Sequence, residues 1–484
     1  MSRPNIILII TDQQRTDTIG ALGASWMHTP NLDRLVREGA AFTECFVTSP
    51  VCVASRASLF TGKYPHGCQV FSNFQPWEPT WVRTLAGQGY HCVSIGKMHI
   101  NPYDAPGGFH QRFVVENKDR PLFLEERDRA IYDEWDKALR VRRLEKPSRY
   151  NRFESDPEGY KQALGAFAWH LDADMHPDNF VGNTARWWID DRKNTDPLFL
   201  QIGFPGPHPP YDPLPDWLDR YADVDIPVPL VSASELAGQP RAHHMLRENM
   251  KSFNFDSVAW RSNPTREELL RLRRHYAANV SMIDEQVGHI LAALDRRGYL
   301  DDAIVIFTSD HADALGDHGH IQKWTMYDTV LRVPLLFWSK NRVRPQVRDD
   351  LVQLIDVAPT ILEAAGAEIP ADFDARSLWG ALEQRADYTP RDTVYAEVAR
   401  DHIQTGSEFV VMRRCKNWKV VVYLDDEDGE LYDLRRDPGE TENLWRSAPP
   451  ERDRMANDCI RWALGGALKA NRRPGRAPQR AMPT

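Results

Sequence analysis

The run Asn5-Ile-Ile-Leu-Ile-Ile10 carries no polar side chain from Ile6 to Ile10 and then breaks into Thr11-Asp12-Gln13-Gln14. A strand with one face in water alternates polar and apolar positions. One without polar positions must be covered on both faces, as in a parallel sheet between two layers of helices. The same apolar character recurs at 91–95, 197–204, 303–309 and 333–338. Helical stretches lie between these runs, the clearest at about 265–298, where Leu269, Leu272, Tyr276, Val280, Ile283, Val287, Leu291 and Leu294 keep a three-or-four spacing. Thr265 and Glu268 form a capping-box pair at its start, and Gly298 is placed to stop it. The predicted class is α/β, a sheet sandwiched by helices.

A chain of 484 residues with 42% hydrophobic content can bury one large core with a smaller unit attached. After about Pro370 the character changes to short β-rich runs, Asp392-Thr-Val-Tyr-Ala-Glu-Val398, Glu408-Phe-Val-Val-Met412 and Trp418-Lys-Val-Val-Val-Tyr423, which predict an antiparallel unit. The expected division is a catalytic α/β domain over 1–370, an antiparallel β subdomain with a terminal helix over 371–470, and a basic, Pro-bearing tail over 471–484. Such a tail is disordered on composition alone, so order in it requires a neighbouring subunit to hold it, and a homo-oligomer is expected. The charged, Trp- and Pro-bearing stretches near 102–150 and 226–263 read as insertions that shape substrate access.

A net charge of −9 argues against a general nucleic-acid binder, which gathers positive charge to displace counterions. Any anion site must therefore be local. The first apolar run is too short for a signal peptide and lacks a small-residue cleavage site, no stretch approaches the roughly 18 apolar residues of a membrane span, and the cytoplasm is the expected location. The six cysteines show no paired spacing for zinc or redox chemistry.

In open α/β sheets ligands gather at the carboxyl ends of the strands. Three polar clusters stand at such ends: Thr11-Asp12-Gln13-Gln14, Gly203-Phe-Pro-Gly-Pro-His208 and Ser309-Asp310-His311. Singly, Asp12 reads as a turn residue, His208 as a loop histidine and Asp310 as a helix cap. Together, Asp12, Asp310 and His311 offer two carboxylates and an imidazole to a divalent cation.

The decisive segment is Cys52-Val-Ala-Ser-Arg56-Ala-Ser-Leu-Phe-Thr61-Gly62. It resembles the signature of the sulfatase family, C-x-P/A-x-R followed by T-G, in which the cysteine is oxidised to formylglycine. Ala54 stands where the family more often has proline. Further matches follow in family order: Gly96-Lys97-Met98-His99 is similar to the G-K-x-H segment, Ser309-Asp310-His311 to the second metal segment, Lys323 to the lysine after the Gly-Asp-His-Gly stretch, and Glu430-Leu-Tyr-Asp-Leu434 with Asp437-Pro438 to the C-terminal hallmark. The resemblance implies an alkaline-phosphatase-like fold, with a large mixed sheet between helices and a small C-terminal antiparallel sheet.

It also implies a chemistry. A hydrated formylglycine is a geminal diol, one hydroxyl attacking sulfur and the other later expelling sulfate as the aldehyde re-forms. By resemblance, one divalent metal ion, Mn²⁺ or Ca²⁺, is held by Asp12, Gln13, Asp310, His311 and position 52. Asp310 accepts the nucleophile's proton and Arg56 steadies the diol. Lys323 and His208 hold the sulfate and protonate the leaving oxygen, while Lys97 and His99 bind sulfate and assist hemiacetal collapse. A formylglycine-generating enzyme is an implied partner. Asn73 matches a nearby asparagine of the phosphonate monoester hydrolases in the same family. Those relatives also carry Asp-Gln after the first strand, as Asp12-Gln13 does here, yet they generally lack the charged lysine and histidine kept at Lys97 and His99.

The expected activity is hydrolysis of aryl or small alkyl sulfate esters with some phosphonate monoester or phosphodiester hydrolysis. Phosphorus-ester hydrolysis as the main activity and a non-catalytic oxyanion-binding relative are the alternatives. Because neutral Gln13 replaces a frequent second aspartate, the ligand set reads as one negative charge short, which favours the more highly charged phosphoryl transition state.

Overall fold

The structure is a computed structural model that describes residues 3–73, 75–116, 118, 133–252, 258–401, 405–447 and 450–470. The expected tail contact of 471–484 lies outside the described residues.

The main sheet has eight strands: β1 (Asn5–Asp12), β2 (Ala40–Phe46), β3 (His91–Gly96), β4 (Gln111–Val114), β5 (Leu198–Pro207), β6 (Ala303–Ser309), β7 (Arg332–Trp338) and β8 (Gln346–Gln353). Their order is β4-β3-β5-β1-β6-β7-β2-β8. Only β7 runs against the rest, so the sheet is mixed, as expected. The apolar run of β1 sits at its centre, paired in parallel with β5 and β6.

Strand alternation explains why β1 has no polar position. Ile6, Leu8 and Ile10 join one buried cluster with Val53, Ala57 and Phe60 of the helix Cys52–Thr61. Ile7 and Ile9 face the other way, into a cluster with Val181, Ala185 and Ile189 of the helix Pro177–Asp191 and Ile283, Val287 and Leu291 of the helix Arg266–Arg296. Both faces are thus covered. The long helix starts with the expected capping box, Thr265 and Glu268 each bonding the other's backbone, and Gly298 follows it at φ +71°. Among the described residues no helix is long and apolar enough to cross a membrane.

A second sheet, antiparallel throughout, runs β12-β11-β10-β9, with β9 (Thr393–Asp401), β10 (Ser407–Cys415), β11 (Trp418–Tyr423) and β12 (Glu430–Asp433). The helix Pro450–Ala470 packs on it through Met455 and Cys459, which join Val411, Val420 and Leu431 in one buried cluster. The insertion around 226–263 contains the helix Arg241–Asn249. It touches this sheet through His243, whose Nε2 lies 3.2 Å from the Tyr423 hydroxyl and 3.4 Å from Glu430.

Candidate active site

Five separated segments meet at the carboxyl end of β1. Two hydrogen bonds dock the neighbouring loops onto it: His208 N donates to Asp12 O at 3.1 Å, and Asp310 N to Thr11 O at 3.2 Å. Lys97 enters by a closer approach. Gly96 pairs with Gly203 across β3 and β5, and a methyl group on Gly203 would stand 1.9 Å from the Lys97 carbonyl oxygen. Gly96 itself takes φ +92°. Two glycines in register therefore let the backbone after β3 lie directly on β5, and Lys97 N closes the contact on Gly203 O at 2.8 Å.

Cys52 opens a helix in which every residue from Cys52 to Thr61 is buried. Lys323 Nζ lies 3.6 Å from its Sγ and 3.3 Å from His208 Nε2. The His208 Nδ1 donates to Pro209 O at 2.9 Å, which leaves Nε2 facing the lysine. One turn into the helix, Arg56 is wholly buried and fully engaged. Its Nε lies 2.6 Å from Asp310 Oδ2, one terminal nitrogen donates to Lys97 O at 3.0 Å, and the other stands 3.5 Å from Asp12 Oδ2. The guanidinium thus ties the two carboxylates and the backbone of Lys97 together.

Burial disfavours charge on all these groups, but they are mutually complementary. Against that burial, the Lys97 ammonium at 2.6 Å, followed by His208 and Arg56, holds the Asp12 carboxyl well below the usual carboxylate range. Burial likewise opposes the charge on Arg56 and Lys97, yet the carboxylates raise both; for Arg56 the largest contribution is Asp310's, for Lys97 it is Asp12's. His99 goes the other way, since burial and then Lys97 push its imidazole down to about 4 and keep it neutral at neutral pH. Its backbone N is held by Glu116 at 3.0 Å and its carbonyl by the Trp77 indole at 3.2 Å.

His99 Nδ1 has no hydrogen-bond partner, and neither do three atoms of the candidate metal ligands: Asp12 Oδ1, Gln13 Oε1 and His311 Nε2. Each of these three is left over for an identifiable reason. Lys97 and Arg56 occupy the other oxygen of Asp12, the Gln13 Nε2 donates to Asp313 at 2.5 Å, and the His311 Nδ1 donates to Ala312 O at 3.0 Å. Asp12, Asp310 and His311 also bring their ligand atoms within 4.8 Å of one another. Unsatisfied acceptors are costly in a buried site, and a donor set of carboxylate, amide and imidazole fits a cation with mixed oxygen and nitrogen ligands.

The structure therefore brings together ten of the residues singled out in the sequence: Asp12, Gln13, Cys52, Arg56, Lys97, His99, His208, Asp310, His311 and Lys323. Asn73 is not tied to them; among the described residues no hydrogen bond joins it to the cluster, and its Oδ1 is unpartnered. Sequence reasoning missed Asp313, Ser55, Glu116 and Tyr276. Ser55 Oγ donates to Asp310 O at 2.5 Å, and the Tyr276 hydroxyl to Gln13 O at 2.6 Å. The usable signal was proximity, since Ser55 and Asp313 each lie within three residues of a named ligand or nucleophile. Asp313 also revises the charge count, because its carboxylate stands directly behind the neutral Gln13 amide, and the negative charge counted as lacking is displaced outward by one side chain.

Fold and site together define an α/β protein with a buried cluster of candidate metal ligands beside a cysteine-bearing helix terminus. The chain belongs to the sulfatase family, whose model, described as Sulfatase, matches residues 4–367. A second model, N-sulphoglucosamine sulphohydrolase, C-terminal, matches residues 316–457. The chain is 29% identical to an arylsulfatase of Clostridium perfringens over 92% of this chain and 91% of that protein. It is also 29% identical to a choline-sulfatase of Rhizobium meliloti, over 91% and 82% respectively. Among solved structures, the phosphonate monoester hydrolase of Agrobacterium radiobacter superposes with a TM-score of 0.78 at 24% identity, covering 97% of this chain and 96% of that one, which places the fold among the alkaline-phosphatase-like enzymes.

Proposed function

We propose that this protein hydrolyses sulfate monoesters of an aryl or small alkyl alcohol, with weaker activity toward phosphonate monoesters or phosphodiesters. The observation that carries the reading is the set of three unpartnered atoms, Asp12 Oδ1, Gln13 Oε1 and His311 Nε2, in one buried cluster with Cys52 and the cations Lys97, Arg56 and Lys323. Asp12, Gln13, Asp310 and His311 would hold one divalent metal ion. The imidazole favours Mn²⁺ over Ca²⁺, which prefers oxygen ligands. Such an ion supplies positive charge that lowers the nucleophile's pKa. Oxidation of Cys52 to formylglycine, by an enzyme that modifies this chain, would supply a hydrated aldehyde as the nucleophile.

The chain's own residues do the rest. Lys323 reaches both position 52 and His208, so it pairs with the anionic ester oxygens while sharing a proton with the His208 Nε2. His208, locked by Pro209 O, is aimed to pass that proton to the departing alkoxide or phenoxide. Arg56 holds Asp310 and Asp12 in place and does not need to touch the ester. Neutral His99, beside Lys97, would be the chain's own proton acceptor on that side of the site. The retention of Lys97 and His99 within the site supports sulfate over phosphorus esters as the main substrate class.

The test is kcat/KM for aryl sulfate, phosphate diester and phosphonate substrates on protein with measured metal content, together with intact mass to follow conversion of Cys52. A preference for the sulfate that is lost on chelation and restored by Mn²⁺ is the expected result. Dominant phosphorus-ester hydrolysis, or no turnover by fully converted and metal-loaded protein, would overturn it.

A further inference from the structure

Asp313 belongs to no motif named above, yet it is buried and accepts four hydrogen bonds. Its Oδ1 takes the backbone N–H groups of Leu315 and Gln322, each at 2.9 Å. Its Oδ2 takes the Gln13 Nε2 at 2.5 Å and the Tyr211 hydroxyl at 2.6 Å. Gln322 precedes Lys323, and Tyr211 lies on the loop that carries His208. One carboxylate thus reaches three of the segments that build the site.

Gln13 is the residue whose behaviour depends on this. Its backbone is fixed at φ +72°, with N bonded to Asp310 Oδ1 at 3.1 Å and O to the Tyr276 hydroxyl. The side-chain amide has two nearly isosteric ends, one a donor and one an acceptor, and packing alone cannot tell them apart. A carboxylate can, because it only accepts. With Nε2 against Asp313, the acceptor Oε1 is the end left without a partner, as Asp12 Oδ1 and His311 Nε2 are. The reverse orientation would set Oε1 against a carboxylate and turn an NH₂ group toward a cation.

We propose that Asp313 is the positioning residue that orients the Gln13 amide so that its oxygen, and not its nitrogen, is offered to the divalent cation, and that it supplies from behind the negative charge a second aspartate would have carried. This rests on the metal reading above and adds a determinant of affinity to it. In Asp313→Asn the two backbone donors still require the carboxamide oxygen, so the NH₂ falls at the Oδ2 position. Gln13 must then turn its oxygen outward to meet it, and its NH₂ toward the cation.

The test is Mn²⁺ affinity by calorimetry on the chelator-stripped full-length protein at pH 7, beside circular dichroism for folding. Asp313→Asn should weaken Mn²⁺ binding by roughly 10- to 100-fold, the range typical of groups that orient metal ligands. The double variant Gln13→Glu with Asp313→Asn should return to within about threefold of wild type, since a carboxylate at 13 accepts from the carboxamide introduced at 313 and keeps one oxygen for the ion. A purely structural role for Asp313 would not give that rescue. Asp313→Asn binding within about threefold of wild type, or a double variant as weak as the single, overturns the proposal. Should Asp313→Asn fail to fold, Gln13→Glu alone decides. Against Asp313 the new carboxylate must be repelled or share a proton, so binding should weaken about tenfold despite the added acid, and tighter binding overturns the proposal. Wild-type protein that binds no Mn²⁺ overturns the metal reading and this one with it; normal wild-type binding with an unaffected Asp313→Asn overturns this one alone.

Discussion

The Lys97 ammonium and the Asp12 carboxylate form a wholly buried ion pair of 2.6 Å, and the pair uses only one of the two carboxylate oxygens. Lys97 therefore holds Asp12 ionised and leaves its Oδ1 without a hydrogen-bond partner, 3.8 Å from His311 Nε2. On the proposed reading Lys97→Ala removes this charge and a cation that would face the ester, so kcat/KM toward an aryl sulfate should fall by about 10² to 10³, the cost of losing one electrostatic contact to a developing anion. Steady-state kinetics within tenfold of wild type would show that Lys97 has no such role.

With position 52 carrying the nucleophile as proposed, Cys52→Ala should abolish nearly all turnover, by on the order of 10⁴ or more, because a covalent nucleophile cannot be replaced by positioning alone. Its side chain meets Lys323, and alanine suits a helix, so the thermal midpoint should move little. A variant that retains a tenth of the activity would remove position 52 from the mechanism.

Gly203→Ala tests the close approach that seats Lys97. The added methyl would lie 1.9 Å from the Lys97 carbonyl oxygen and 2.8 Å from the backbone carbon of the same residue. Backbone cannot yield as a flexible side chain can, so a destabilisation of about 3 kcal/mol is expected from overpacking. Denaturant unfolding measures it, and a change under about 1 kcal/mol would contradict the account.

His66 gives a pH signature through a residue that is not among the candidate site residues. Its Nδ1 lies 2.9 Å from Glu397 Oε2, and although burial opposes the charge, Glu397 raises the imidazole above its ordinary 6.5. A raised folded-state pKa means that the protonated pair stabilises fully below pH 6.5 and that this contribution is lost as pH climbs through the higher folded value. The stability difference between wild type and His66→Gln should therefore shrink as pH rises above 6.5. A difference that is flat with pH, or one that grows, would reverse the assignment.

How far the sequence could be read follows from what each residue depends on. The runs at 303–309 and 91–95 became β6 and β3 almost residue for residue, since a strand buried on both faces announces itself by composition. β8 did not. Its Gln-Val-Arg-Asp-Asp-Leu-Val-Gln is charged because it forms one edge of the sheet, where side chains and one row of backbone groups meet water. β2, with Thr43 and Glu44 half-buried beside a register shift, was equally hidden. In the site, residues carrying a motif were legible through resemblance. Asp313 was not, since its importance arises from a glutamine three hundred positions earlier in sequence, a pairing that only the finished sheet creates.

The helix Pro450–Ala470 has a consequence in time as well as in space. Trp462 sets its ring edge-on to both Tyr64 and His66, each at 4.9 Å between centroids, and Lys469 reaches Asp374 at 2.6 Å. Tyr64 and His66 follow closely on the helix that begins at Cys52, and they emerge from the ribosome long before their partner has been translated. During elongation Tyr64 and His66 lack these ring contacts until nearly the whole polypeptide is made. An enzyme that acts on Cys52 in an unfolded chain, as the proposed function requires, would have that interval in which to reach it.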